Sequence, residues 1–184
     1  MDRKKIEKAV RAILAEIDPS PDRPELKHTP ARVARMFEEI FSGIHQDPRK
    51  HIKDLEAKDY DQMVILKDVP LYSVCEHHLL PFIGRAHIAY VPDGGRVTGL
   101  SKIARVVQTL ARRLQVQERL TQEIAATLME TLRPKGVLVI IEAEHLCMSM
   151  RGVREPGAVT VTSSVLGLFR TNRATREEAI GLLK

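Results

Sequence analysis

The residues best suited to chemistry lie in one short run, Cys75-Glu76-His77-His78. Cys75 and His78 have Cys-x-x-His spacing, which lets a single turn bring a thiolate and an imidazole to one ion. The run ends at Pro81, just before a stretch that reads as a strand. The second of the chain's 2 cysteines, Cys147, closes the motif Glu144-His145-Leu146-Cys147 near the end of another predicted strand. Two sulfur ligands and one nitrogen form a set that suits Zn²⁺ and leaves the fourth position open for water. An open position marks a catalytic zinc, because the ion lowers the pKa of bound water toward neutrality. A structural site would take a fourth protein ligand. The same two cysteines can also be read as small buried hydrophobes, as most free cysteines are. His77 and His145 weigh toward chemistry. Each lies within two positions of a proposed ligand, and an uncommitted histidine is the default general acid or base near neutral pH. His87 stands on a strand without such neighbours and reads as a surface or satisfied sheet histidine. His28, His45 and His51 read as surface.

A second group is Ser101-Lys102-Ile103-Ala104-Arg105 at a predicted helix start. Free backbone N–H groups, the lysine, and the arginine one turn later could hold phosphate. Taken alone, the stretch reads first as an N-cap followed by a solvated basic face. Gln117-Glu118 opens the next helix. Its carboxylate complements the helix dipole, and a buried carboxylate can also pair with the N–H edge of a guanine. Arg151 and Arg154 follow Cys147 and read as anion ligands or as strand-edge charges. Neither G-x-x-x-x-G-K-[ST] nor G-x-G-x-x-G occurs, so a bound nucleotide would use other loops.

These residues need a scaffold, and the hydrophobic pattern outlines one. Arg3 to Ile17 places Ile6, Val10, Ile13, Leu14 and Ile17 on one helical face. Thr29-Pro30 opens a second helix, with Thr29 as N-cap and Val33, Met36, Phe37, Ile40 and Phe41 inward. His45 to Asp59 reads as a connection with a short helix. The period then changes. Met63–Leu66, Leu71–Val74 and Ile83–Val91 read as strands, the last followed by the turn Pro92-Asp93-Gly94-Gly95. Ser101 caps a helix whose face is Ile103, Val106, Val107 and Leu110. Glu118 to Leu132 forms another, with Leu120, Ile124, Leu128 and Leu132 inward. Gly136 to Ser149 and Ala158 to Phe169 are rich in Val, Ile and Thr and read as two more strands. Arg173 to Leu183 closes the chain as a helix. Two hairpins with a helix pair between them predict an α+β fold with a four-stranded antiparallel sheet, preceded by N-terminal helices. The expected division is an N-terminal helical region over 1–60 and a catalytic domain over 61–184, within one compact unit.

The chain of 184 residues is long enough to build its core without disulfides, and its 43% hydrophobic content is that of a folded protein. The net charge of +5 is scattered, with no run of five or six like charges. A polybasic nucleic-acid arm is therefore not expected, and without tryptophan there is little for bases to stack on. No apolar stretch is long enough to cross a bilayer, and no secretory signal follows the charged N-terminus. A cytoplasmic protein with no membrane and no nucleic-acid partner is expected. In that setting metal binding or catalysis explains the cysteines better than a disulfide does.

Five stretches together resemble the GTP cyclohydrolase I family. They are His28-Thr29-Pro30-Ala31-Arg32-Val33-Ala34, Cys75 to Pro81, Gly99 to Arg105, Gln115 to Thr121, and His145 to Gly152. The resemblance runs from about the second helix to the C-terminus. It implies a tunnelling fold, in which antiparallel sheets of several subunits join edge to edge into a barrel, and a homodecamer with active sites between subunits. It implies hydrolysis of GTP at guanine carbon 8, loss of formate, ribose rearrangement and closure to 7,8-dihydroneopterin triphosphate, at the start of tetrahydrofolate and pterin synthesis. Cys75, His78 and Cys147 would hold the Zn²⁺ that activates the attacking water. His77 would protonate the purine imidazole nitrogen. His145 would donate or accept protons during ring opening and rearrangement. Ser101 would contact the ribose. Glu118, supported by Gln117, would read the guanine N–H groups, while Arg32, Lys102, Arg105 and Arg151 would hold the triphosphate. The family often carries lysine where this chain has Arg35, which keeps the charge but changes its geometry.

Two other readings fit parts of the sequence. One is a different tunnelling-fold enzyme acting on a pterin or a deazaguanine; the zinc trio together with His145 sets this chain apart from those relatives. The other is a zinc-stabilised assembly without catalysis, which the two spare histidines and the missing fourth ligand oppose.

Overall fold

The computed structural model describes residues 1–56 and 60–183. The chain divides into two compact units, Met1–Ser42 and Gly43–Lys184. In the first unit, α1 (Arg3–Ile17) and α2 (Thr29–Ile40) are the two N-terminal helices. Asp2 caps α1 by accepting the Lys5 N–H. Arg3 pairs with Glu38 across the helix pair. The helix α2 starts one residue earlier than expected. His28 is its N-cap, Thr29 and Pro30 fill its first two positions, and no side chain caps it. Proline is tolerated there because the N–H it lacks would have had no helical partner.

The second unit begins at Gly43 because its backbone is tied to the end of a later helix. The Gly43 N–H donates to the Arg112 carbonyl, and Arg113 Nε donates back to the Gly43 carbonyl at 3.0 Å. The connection expected over His45 to Asp59 forms a short 3₁₀ turn, Pro48–His51, and then β1 (Asp54–Glu56). Its last three residues lie outside the described ones. His51 is half-buried rather than on the surface, with Nε2 2.8 Å from Thr109 Oγ1.

The strands are β2 (Val64–Cys75), β3 (Pro81–Val91), β4 (Arg96–Thr98), β5 (Leu114–Gln115), β6 (Gly136–His145) and β7 (Val159–Gly167). The helices of this unit are α3 (Leu100–Ala111), α4 (Gln117–Leu132), α5 (Leu146–Ser149), α6 (Leu168–Thr171) and α7 (Arg173–Leu183). The main sheet runs β5-β2-β3-β6-β7. Its four long strands are the expected antiparallel pair of hairpins, joined through β3 and β6. Two additions were not legible. The short β5 pairs in parallel with the end of β2, and β1 with β4 forms a separate two-stranded ribbon.

The two predicted strands 63–66 and 71–74 are one strand interrupted by a bulge between Leu66 and Val69. Asp68 there has φ 58°, and its N–H donates to His87 Nδ1 at 3.2 Å. His87 is thus a satisfied sheet histidine. The last two strands end earlier than expected, because the chain turns into α5 after His145 and into α6 after Gly167. Gly99, not Ser101, caps α3, which places Ser101 inside the first helical turn.

One face of the sheet carries the core. Leu71, Phe82, Ile88, Tyr90, Val137, Val139 and Ile141 are buried beneath Ile103, Val106 and Leu110 of α3 and Leu120, Ile124, Leu128 and Leu132 of α4. The four α4 residues repeat every fourth position and form one stripe, each contributing about 1.5–3 kcal/mol by burial. On the other face, α6 and α7 cover only one end, through Phe169 and Ala179 against Ala89, Val91 and Leu138. Tyr72, Ile83, Val159 and Val161 stay exposed at the opposite end. Among the described residues no helix is long and apolar enough to cross a membrane.

The central pairing of β3 with β6 depends on Gly84. A Cβ there would meet the Glu142 carbonyl oxygen at 1.8 Å and Ala143 Cα at 2.6 Å. Both are backbone atoms held in the sheet, so they cannot move aside alone. Gly84→Ala is therefore expected to cost about 3 kcal/mol or more, the upper end of overpacking effects. Denaturant unfolding measures it; an unchanged midpoint would show that the two strands part freely.

Candidate metal centre and its histidines

The end of the first hairpin makes the turn that the Cys-x-x-His spacing suggests. The Leu79 N–H donates to the Cys75 carbonyl and the Cys75 N–H to the Leu80 carbonyl, both at 2.9 Å. Leu79 takes a left-handed conformation, φ 54°, to close the loop. The Glu76 N–H donates to the Gln115 carbonyl of β5, which anchors the loop on its outer side. Cys147 arrives from the other hairpin. In the β3–β6 register, Phe82 lies opposite His145. The end of β6 therefore sits beside the start of β3, and α5 carries Cys147 one turn on.

The ligand atoms of Cys75, His78 and Cys147 lie within 4.8 Å of one another. Donors on a tetrahedral zinc with two thiolates sit roughly 3.3–3.8 Å apart. The set therefore fits a thiophilic ion after a side-chain adjustment of about 1 Å. Cys75 is buried, Cys147 half-buried and His78 exposed, so the group opens to solvent on the histidine side. Burial, and then the neighbouring Cys75 sulfur, push the Cys147 thiol above the ordinary cysteine range, with Arg151 opposing. Arg151 Nη1 also lies 3.2 Å from His78 Nε2, on which it donates.

The two spare histidines stand on different footings. His77 is exposed; its Nδ1 is 3.9 Å from Cys75 Sγ and its Nε2 is 4.0 Å from Glu76 Oε1. Glu76 is in turn held by Arg119, whose guanidinium keeps that carboxyl below its usual range. Arg119 Nε also donates to Gln115 Oε1 at 3.0 Å. His145 is half-buried and fixed on two sides. Its ring stacks on Phe82 with centroids 4.7 Å apart and planes at 8°, and its Nε2 is 2.7 Å from Gln117 Oε1. Burial pulls its pKa below the ordinary histidine value, and the nearby Glu118 carboxylate opposes that pull.

The remaining candidates sit as follows. Gln117 is buried in the first turn of α4, and Glu118 beside it is exposed. Ser101 and Arg105 are exposed and Lys102 is half-buried in the first turns of α3. Arg32 and Arg35 are exposed on α2, in the other compact unit. Within its own unit the structure thus gathers the Cys–His–Cys set, His77, His145, Gln117, Glu118 and Arg151. Sequence reasoning gave Glu76, Phe82 and Arg119 no role. The Gln115–Arg119 spacing of four at a helix start was the one available signal. The stacking of Phe82 on His145 depends on strand register and had none.

Two cysteine sulfurs and an imidazole gathered around one point could hold a metal ion, and with two further histidines beside those ligand positions they form a candidate enzyme site on an antiparallel α+β scaffold. The chain belongs to the GTP cyclohydrolase I family, whose model matches residues 6–184. It is 62% identical over 183 residues to GTP cyclohydrolase 1 of Pelotomaculum thermopropionicum, an alignment covering 100% of this chain and 97% of that protein. With GTP cyclohydrolase 1 of Carboxydothermus hydrogenoformans it shares 58% identity, covering 100% of this chain and 95% of that protein. The protein of the same name from Clostridioides difficile is 57% identical, covering 100% and 97%. Among solved structures, the archaeosine synthase QueF-Like in the apo form covers 57% of this chain and 93% of that chain. Its TM-score is 0.44 and its identity 16%, a likeness too distant to bear on function.

Proposed function

We propose that this protein converts GTP to 7,8-dihydroneopterin triphosphate and formate, with Zn²⁺ held by Cys75, His78 and Cys147. The observation that carries the reading is the convergence of those three ligands within 4.8 Å. It occurs in a chain that matches the family along nearly its whole length. Two sulfurs and a nitrogen favour zinc over magnesium or calcium, which take oxygen ligands. Bound there, zinc supplies the Lewis acidity that makes water a nucleophile near neutral pH.

The protein's own residues do the rest. His77, exposed at the rim, donates a proton to the purine imidazole nitrogen, so that carbon 8 becomes electrophilic. Glu118 accepts from the guanine N–H groups, and a site built on those bonds rejects adenine strongly. His145 moves protons during ring opening and the later rearrangement, and Ser101 contacts the ribose. Arg32, Lys102, Arg105 and Arg151 hold the triphosphate; charge-assisted bonds to phosphate are about twice as strong as neutral ones. The exposed valines of the edge strand β7 support edge-to-edge pairing with further copies. The resemblance to the family supports a homodecamer with sites shared between subunits. Two unpaired thiols suit a reducing compartment, hence the cytoplasm.

The test is to incubate reduced, zinc-loaded protein with GTP and follow formate together with pterin fluorescence after oxidation. Equal amounts of both support the reaction. Neither product, with zinc shown to be bound, overturns it.

The raised Cys147 thiol gives a second expected result. Below its pKa the thiol keeps its proton, and a metal must displace that proton to bind. Zinc uptake should release protons, and affinity should rise with pH by about tenfold per pH unit for each proton displaced. Competition with a chromophoric chelator at several pH values measures this. A flat profile would mean that the thiols are already ionised.

A further inference from the structure

Gln117 opens α4 but faces inward, and the residue is 1% exposed. Its amide nitrogen lies 3.0 Å from the Ile141 carbonyl, 3.0 Å from the Thr160 carbonyl and 3.1 Å from Thr162 Oγ1. The two carbonyls belong to neighbouring strands and can only accept. They fix which way the amide points, since a reversed amide would set its oxygen against both of them. The hydroxyls around it are fixed as well. Thr121 Oγ1 donates to the Gln117 backbone carbonyl at 2.7 Å. The Thr162 hydroxyl, 2.6 Å away, therefore donates to Thr121 and offers its lone pair to the Gln117 amide. Both amide hydrogens are thereby engaged. The amide oxygen, an acceptor only, faces His145 Nε2 at 2.7 Å. For that contact to be a hydrogen bond, Nε2 must carry the proton. Phe82, stacked on the ring at 8°, sets its plane.

We propose that Gln117 is a positioning residue that selects, for the neutral His145 ring, the tautomer with its proton on Nε2, so that Nδ1 is that ring's lone pair and the atom through which His145 exchanges protons with substrate. The amide has no free hydrogen for a guanine, so Gln117 acts through His145 and the β6–β7 hairpin. Glu118, exposed one residue on, is left to read the base. The role of Nδ1 in turnover rests on the reaction proposed above; the tautomer does not.

The test begins with protein labelled with ¹⁵N-histidine. Its solid-state ¹⁵N spectrum distinguishes protonated from unprotonated ring nitrogens, and the His145→Asn variant identifies the His145 signals. The expected spectrum has Nε2 protonated and Nδ1 bare; the opposite assignment, in the unaltered protein, overturns the proposal. Gln117→Met has similar length and no acceptor. It should populate both tautomers and lower kcat about 10- to 100-fold, as loss of an outer-shell partner does, with KM for GTP nearly unchanged. Gln117→Glu, kept protonated by the two carbonyls, can still donate to one of them and accept from His145. It should restore the tautomer and most of the rate. A raised KM with unchanged kcat in Gln117→Met would place Gln117 on the substrate and overturn the proposal, as would an unchanged rate. If Gln117→Met does not fold, the spectrum of the unaltered protein and the rate of Gln117→Glu decide. Protein that turns over no GTP refutes the reaction but still reports the tautomer.

Discussion

Cys147→Ser is expected to remove bound zinc and GTP turnover together, with activity falling by at least about 10³-fold. The side chain is half-buried at the start of α5, and its sulfur is one of the three candidate ligand atoms gathered among the described residues. Serine keeps the volume, and its hydroxyl is a poor ligand at neutral pH because it does not ionise there. The loss should therefore be local. Metal analysis should find well under one zinc per chain, while the metal-free variant should melt within a few degrees of the metal-free parent. Two results would count against the assignment. Stoichiometric zinc in the variant would mean that the three-ligand set is wrong. Zinc lost with turnover retained would mean that the metal is structural and that the reaction runs on other groups.

His77→Ala should separate what Cys147→Ser removes together. His77 lies in the same four-residue run as two ligands, yet its ring is largely exposed and sits at the edge of the group, 3.9 Å from Cys75 Sγ. His78 is the histidine of the candidate ligand set. The variant is therefore expected to keep its full zinc content and lose about 10²- to 10⁴-fold in turnover, the range for a lost general acid. Equilibrium dialysis of zinc beside single-turnover formate release gives both numbers on one sample. His78→Ala is the matched control and should lose the metal. If His77→Ala loses zinc while His78→Ala keeps it, the roles of the two histidines are exchanged. If His77→Ala turns over at the parent rate, its proton role is wrong.

The helices and the long strands could be read because their signals are local. The faces predicted for α3 and α4 are the buried ones, since one period of 3.6 residues and one apolar stripe suffice to place a helix against a sheet. Alternation in β3 holds over its first half, while from Ala86 to Val91 both faces are buried. The errors lie where a local signal competes with a distant partner. Thr29 and Ser101 have the chemistry of N-caps, but each lies inside its helix, and the cap positions fall to His28 and Gly99. The 66–69 interruption in β2 looked like a gap between two strands, and is a bulge whose free N–H is taken up by His87 from the neighbouring strand. The strand expected to run through Cys147 stops at His145, and the short helix that follows is what turns the second thiol toward the first.

The candidate site divides along the same line. Residue types and spacing alone named Cys75, His78 and Cys147 as a possible zinc set and singled out His77 and His145, because ligand chemistry is a property of side chains and Cys-x-x-His fits one turn. Sequence could not bring Cys147 to that turn. The β3–β6 register does so, by setting Phe82 opposite His145 and the ends of two hairpins side by side. Nor could it show that Gln117, expected only as a helix-start residue supporting Glu118, is buried with its amide spent on two strand carbonyls and its oxygen on His145. Such pairings depend on which strands are neighbours and in what register. Those choices are made by the whole core at once, so they belong to the tertiary structure.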